Sequence, residues 1–210
     1  VGKPVRYNTI SVVPGIIGKA RHFTGNAGSC ISISSAATRG DGILNQGKHD
    51  FSMSIWIKGE KRRSSHQRVW SKAGGWSKIN DGFGIQFNPN RPEHPYFRIQ
   101  VGDDTTETVT PEATMPLGRW VHLVATFDRE TGIQLYVDGK AGPKYDASRL
   151  SGKEIDSEMA MTFGCVQHDN VYVEYYKGAV DNVGMWSRVL TSADVAALYN
   201  HGQGIAYSEH

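Results

Sequence analysis

The chain has 210 residues, of which 39% are hydrophobic and 21% charged, and its formal net charge is +2. That balance excludes a disordered chain, and the charge is too small to imply a nucleic-acid partner or an acidic membrane surface. No apolar run approaches the length of a membrane span, so membrane insertion is not expected.

In chain order, residues 51–58 give the first clear strand, with Phe51, Met53, Ile55 and Ile57 on one face of a period-2 alternation. Residues 82–87, 96–101, 120–127 and 133–137 continue the series. Asp138-Gly139 then supplies a hairpin turn dipeptide. Residues 159–164 and 171–176 read as two further strands, and 179–186 as another, with Val180, Val183, Met185 and Trp186 as its apolar positions. The 24 glycines suit many tight connections between short strands.

Long helical periodicity is absent until residue 191. There Thr191 stands three residues before Asp194, a capping-box spacing. Leu190 and Val195 occupy the positions of a hydrophobic staple, Val195, Leu198 and Tyr199 form an apolar stripe, and Gly202 reads as the C′ stop. Strands so spaced with one terminal helix mean a single all-β sandwich or barrel. A start at Val1 without Met or a signal-like segment reads as mature or excised material.

The segment 178–202 resembles the closing signature of the laminin G-like, concanavalin A-like jelly rolls. Gly178, Val180, Asp181, Asn182, Val183, Trp186, Arg188, Leu190, Thr191, Asp194, Val195, Leu198, Tyr199 and Gly202 all match it. Residues 18–25, 51–56, 117–128 and 135–139 resemble other landmarks of the same family, in the family's order. The resemblance implies an all-β, two-sheet antiparallel jelly-roll β-sandwich with one short C-terminal helix. It covers one domain over 1–210, with its core at about 15–205, set within a larger secreted or cell-surface protein.

Three constellations bear on chemistry. Glu154-Ile155-Asp156-Ser157-Glu158 resembles the carboxylate strand of jelly-roll β-glucanases, in which alternate residues bring catalytic carboxylates into one cleft. Here the stretch follows the Asp138-Gly139 block instead of preceding it, and Ser157 stands where an apolar residue is expected, so a charged surface loop is the preferred reading. The family also implies a structural calcium, with Asp181 as side-chain ligand and the turn from Phe23 to Asn26 as donor of carbonyl or amide oxygens. Thr24 and Asn26 stand where the family often has Asp, and a metal-free Asp181 hydrogen-bonded to the turn is the equal alternative.

Sugar recognition needs exposed aromatic faces beside planar polar groups. Trp56, Trp120 and Trp186 fall at family core positions, whereas Trp76 lies in a turn-rich loop flanked by Lys78 and Asn80. A basic loop, Lys61-Arg62-Arg63 with His66 and Arg68, offers Arg forks to a uronate, sulfate or sialate. Tyr172, Glu174 and Tyr176 would share one strand face. The bland readings are an edge-folded tryptophan loop and a solvated charge run. Cys30 and Cys165 allow one internal pairing, and disulfide and free thiols are both open.

The expectation is a non-catalytic carbohydrate-binding module whose partner is a glycan or polysaccharide. Its ligand residues would be Trp76, Arg62, His66, Lys78, Asn80, Tyr172 and Glu174. A protein-binding adhesion domain is the alternative, which would show an exposed apolar patch. A polysaccharide-cleaving enzyme using Glu154, Asp156 and Glu158 is a further one.

Overall fold

The computed structural model describes residues 5–6, 9–34, 44, 46–61, 65–74, 81–107 and 114–207. Its strands begin with β1 (Val5–Arg6), β2 (Ile10–Pro14), β3 (Lys19–Thr24), β4 (Ile31–Ile33) and β5 (Phe51–Gly59). There follow β6 (Gln67–Lys72), β7 (Gly82–Asn88), β8 (Arg91–Val101) and β9 (Asp104–Glu107). The second half carries β10 (Val121–Asp128), β11 (Gly132–Val137), β12 (Lys140–Tyr145) and β13 (Met161–Phe163). Last come β14 (Val166–His168), β15 (Val171–Val173), β16 (Lys177–Trp186) and the helix α1 (Ser192–Tyr199).

Among the described residues these strands form two large sheets and one hairpin. The front sheet runs β1-β4-β13-β6-β7-β8-β9, the back sheet β12-β11-β10-β5-β16-β3-β2, and β14 pairs with β15. Strand pairing throughout is antiparallel, with β5 held between β10 and β16.

Period-2 alternation decides which side chains meet between the sheets. Phe51, Met53, Ile55 and Ile57 of β5 point inward beside Val121, Leu123, Ala125 and Phe127 of β10. The front sheet answers with Phe83, Ile85, Phe97 and Ile99. Phe51 is the hub: its ring centroid lies 4.7 Å from Phe83, 5.5 Å from Phe127 and 6.2 Å edge-on from Phe97.

The alternation of β5 suggests a strand with one wet face, yet Ser52, Ser54 and Trp56 are buried as well. Their cover is the C-terminal segment. Trp56 stacks on His122 and on Tyr199 of α1, while Val124, Tyr136, Leu190, Val195 and Leu198 form a second apolar cluster. Ser52 Oγ donates to the Arg188 carbonyl and accepts from Leu190 N–H, each at 2.9 Å, so this polar side chain is satisfied in the dry layer.

The capping box is present: Thr191 Oγ1 accepts from Asp194 N–H at 3.1 Å, and Asp194 accepts from Thr191 N–H at 2.8 Å. The helix stop differs from the sequence expectation. Asn200, left-handed at φ 45°, ends α1, and Gly202 closes a following 3-10 turn. Asn tolerates that conformation.

Cys30 and Cys165 form a disulfide across 135 residues of sequence, with Cα atoms 5.4 Å apart. It ties the approach to β4 to the start of the β14–β15 hairpin.

Candidate functional site on the outer face of the front sheet

Because Phe83, Ile85 and Phe87 turn into the core, Gly84 and Gln86 of β7 face outward. Register carries that face across the sheet. Arg68, Gln86 and Tyr96 form one row, and Ser71, Gly84 and Arg98 form the next. A β-bulge at Val69 lets both Arg68 and Ser71 keep to this side. Gly84 has to be glycine, because a Cβ there would approach the Trp70 carbonyl oxygen to 2.8 Å.

The β14–β15 hairpin lies along one side of the face as a wall. Tyr172 Oη donates to Ser32 Oγ at 2.9 Å, Thr162 Oγ1 donates to the Cys165 carbonyl at 2.7 Å, and Gly164 N–H donates to the Val69 carbonyl at 3.0 Å. Beyond β15 the chain turns sharply at Glu174, which has a left-handed φ of 56°. A non-glycine residue held there stores backbone strain. It is held from both ends: Arg68 N–H donates to the Glu174 carbonyl at 2.9 Å, and Arg68 Nε donates to Glu174 Oε2 at 2.5 Å.

The floor is polar and largely dry. Arg68, Ser71, Gln86 and Tyr96 are buried although they lie on the outer face, and Arg98 and His66 are half-buried at the rim. Gln86 is fully buried, yet neither its amide oxygen nor its amide nitrogen has a hydrogen-bond partner. Leaving such groups unpaired costs about 1–3 kcal/mol each, so the floor keeps hydrogen-bonding capacity that the fold itself does not use. Burial lowers the pKa of His66 below its ordinary value; Glu174 opposes the shift, and Arg68 and Arg98 reinforce it. That interplay places His66 within the electrostatic reach of the same three residues, and near neutral pH it favours the uncharged ring.

The ligand residues expected from sequence divide three ways. His66 and Glu174 come together around Arg68. Trp76, Arg62, Lys78 and Asn80 lie outside the described residues. Tyr172 reaches Ser32 across the hairpin, and Tyr176 is 1% exposed in the core. The shared face expected for Tyr172, Glu174 and Tyr176 is therefore corrected, because β15 ends at Val173 and the turn at Glu174 reverses the alternation. Sequence reasoning misses Gln86, Tyr96 and Arg98 as site residues. Their signal is the polar position between core apolar ones in Phe83-Gly-Ile-Gln-Phe87 and Phe97-Arg-Ile99.

The calcium set does not assemble. Val180 pairs with Arg21 and Gly178 with Phe23, so Asp181 lies past the Arg21 end of the pairing, away from the turn at 23–26. Both Asp181 oxygens are used: Oδ2 accepts from Ile17 N–H at 3.0 Å and Oδ1 from Asn182 N–H at 2.9 Å. Its carboxylate occupies the space a side chain at Gly15 would need. Phe23 is a core ring, and the Asn26 carbonyl accepts from Ser29 N–H within its own turn. Among the described residues no group of three or more His, Cys, Asp or Glu side chains is placed to hold a metal.

Nor do Glu154, Asp156 and Glu158 line a strand. Residues 151–160 are irregular: Ile155 and Ser157 are buried, Glu154 and Glu158 are exposed, and Asp156 Oδ1 accepts from Gly47 N–H at 2.7 Å.

A two-sheet antiparallel sandwich with this strand order is a jelly-roll architecture. The chain belongs to the concanavalin A-like lectin/glucanases superfamily, whose laminin G model matches residues 32–196. No curated protein sequence matches it significantly. Among solved structures it is similar to the binding domain of Paraclostridial Mosquitocidal Protein 1, at 16% identity and a TM-score of 0.75, covering 95% of this chain and 47% of that one. It is also similar to the botulinum neurotoxin serotype D ligand-binding domain in complex with N-acetylneuraminic acid. There the identity is 14% and the TM-score 0.70, covering 94% and 45%. A third likeness is to domain 4 of AbnA, an extracellular arabinanase of Geobacillus stearothermophilus, in complex with arabinotriose. Its identity is 17% and its TM-score 0.64, covering 97% and 88%. The chain thus spans about half the length of the toxin domains and most of the arabinanase domain.

Proposed function

We propose that this chain is a non-catalytic glycan-binding module that receives sugar on the outer face of the front sheet, beside the β14–β15 hairpin. The observation that carries the reading is the outward polar row of Arg68, Gln86 and Tyr96 across β6, β7 and β8, with Arg98 and His66 at its accessible rim. Planar amide, guanidinium, imidazole and phenol groups on a rigid sheet suit ligands made of hydroxyls and ring oxygens. Complexes of similar domains with N-acetylneuraminic acid and arabinotriose support a sugar ligand. The disulfide supports an oxidising, extracellular setting, and the coverage of the toxin domains supports a module of a larger protein.

The adhesion alternative would use exposed apolar side chains, and among the described residues the large ones are Val12, Leu117, Val171, Val183 and Ile205. A glycan array probed with the chain and with Arg98→Leu tests the proposal. The substitution removes the guanidinium at the accessible rim, so array binding should fall at least about tenfold while the circular dichroism spectrum holds. A flat array at high protein concentration, or an Arg98→Leu profile identical to the parent's, would overturn it.

A further inference from the structure

The helix α1 and the chain after it, as far as Tyr207, lie over the outer face of the back sheet with an apolar cluster of their own. There Val195 and Leu198 pack with Val124 of β10, Tyr136 of β11, Leu190, Trp186 and Tyr207, and the main core between the sheets contains no residue of this cover. At its inner boundary sits His122 of β10, 1% exposed, with its ring stacked on Trp56 at 4.8 Å and on Tyr199 of α1 at 6.1 Å. Tyr207 Oη donates to Ser54 Oγ at 3.3 Å, which leaves the Ser54 proton for His122 Nε2, 2.8 Å away. The one proton of the neutral ring is then on Nδ1, which is buried without a partner. A second proton has to enter at Nε2, against a hydroxyl that already donates to it. Ser54 would have to turn its own proton away, and Nδ1–H would stay unsatisfied beneath the cover.

We propose that α1 and residues 200–207 form a cap that opens when His122 takes up a proton, baring an apolar face of Trp56, Val124 and Tyr136 in acid while the sandwich stays folded. Opening returns the imidazolium to water, where both N–H groups find acceptors. The charged and titratable groups around the ring come from every element that meets it. Asp138 Oδ1, at the β11–β12 turn, accepts from the His122 backbone N–H at 2.9 Å, and Arg119 donates to Asp138 Oδ2 at 2.9 Å. Tyr136 lies on β11, Tyr199 on α1 and Tyr207 beyond it, while Lys58 is one outward position past Trp56 on β5. Asp181, paired with Trp56 in register, accepts from Ile17 and Asn182 instead. Burial lowers the His122 pKa from 6.5 to about 4, and Asp138 offsets only part of that. The closed cap is therefore fully favoured above pH 6.5 and loses ground as the pH falls toward 4. At pH 5.5 the ratio of open to closed should stand about tenfold above its value at pH 7.5.

The polar face of the front sheet takes no part in this device, so it stands or falls independently of glycan binding. Amide hydrogen exchange of the full chain at pH 7.5 and pH 5.5, read by mass spectrometry and corrected for the chemical exchange rate, tests it. Peptides within 192–207 should lose protection about tenfold at the lower pH, while peptides within 51–57 and 121–127 hold theirs. His122→Gln keeps a polar side chain at this position and cannot take up the proton, so its cap should be equally protected at both values. The parent decides even if that variant does not fold. Cap protection that is unchanged or higher at pH 5.5 overturns the proposal, because the stacked rings would then tolerate the charged imidazole. Loss of protection in step with β5 and β10 also overturns it, since the opening would be global. So does an equal loss in His122→Gln, which would assign the effect to another group.

Discussion

His122 should make the domain lose stability in mildly acidic solution by an amount the structure sets. Its ring is 1% exposed beneath α1, with centroids 4.8 Å from Trp56 and 6.1 Å from Tyr199. Nε2 lies 2.8 Å from Ser54 Oγ, and Nδ1 is buried without a partner. Burial lowers the pKa from 6.5 to about 4, with Asp138 only partly offsetting it. Between those two values the unfolded chain takes up a proton that the folded chain refuses. The contribution is therefore complete above pH 6.5, falls as the pH drops toward 4, and is level below that. A gap of about 2.5 pH units at about 1.4 kcal/mol each gives a loss of about 3 kcal/mol. Urea unfolding followed by tryptophan fluorescence at steps from pH 7 to pH 4, for the parent and for His122→Gln, isolates this group, because the other histidines and carboxylates act in both proteins. The parent curve should fall more steeply by about 3 kcal/mol over the window. A difference that is flat with pH would refute the claim that this ring is held neutral by its burial.

Three further outcomes follow from particular contacts. Reduction of Cys30–Cys165, which spans 135 residues, should lower unfolding free energy by about 2–5 kcal/mol, read from urea midpoints with and without dithiothreitol; coincident midpoints would contradict it. Thr191→Ala removes the acceptor for Asp194 N–H and should cost about 1 kcal/mol by the same assay, with the fold unchanged by circular dichroism. Gly132→Ala forces a Cβ onto the Tyr145 carbonyl oxygen at φ 110°, and a drop of at least about 2 kcal/mol is expected; a variant as stable as the parent would mean the β11–β12 pairing can shift at little cost.

Elements with local chemistry are legible in the amino-acid sequence. The inward set of β5 follows from alternation alone, and the start of α1 follows from the Thr191–Asp194 spacing, because both depend on neighbours within a few residues. Whatever depends on distant partners is not legible there. β12 reads Lys-Ala-Gly-Pro-Lys-Tyr, with no apolar alternation, and it is a strand because β11 offers it a free edge. Asp181 reaches the Gly15–Ile17 turn instead of the turn at 23–26, and only the register of β16 on β3 decides between them. The polar floor around Gln86 is visible as outward positions, but nothing in those residues signals that a hairpin some eighty residues later closes over one side of it.

That hairpin is anchored along its length by the disulfide at Cys165, the Gly164–Val69 and Tyr172–Ser32 hydrogen bonds, and the double tie of Glu174 to Arg68. A wall so fixed has little freedom left to lose when something settles against it. Encounter with a ligand should then be a single step whose rate scales with collision frequency, without a slower phase of loop closure. Affinity among related ligands would differ mainly in how long each stays bound.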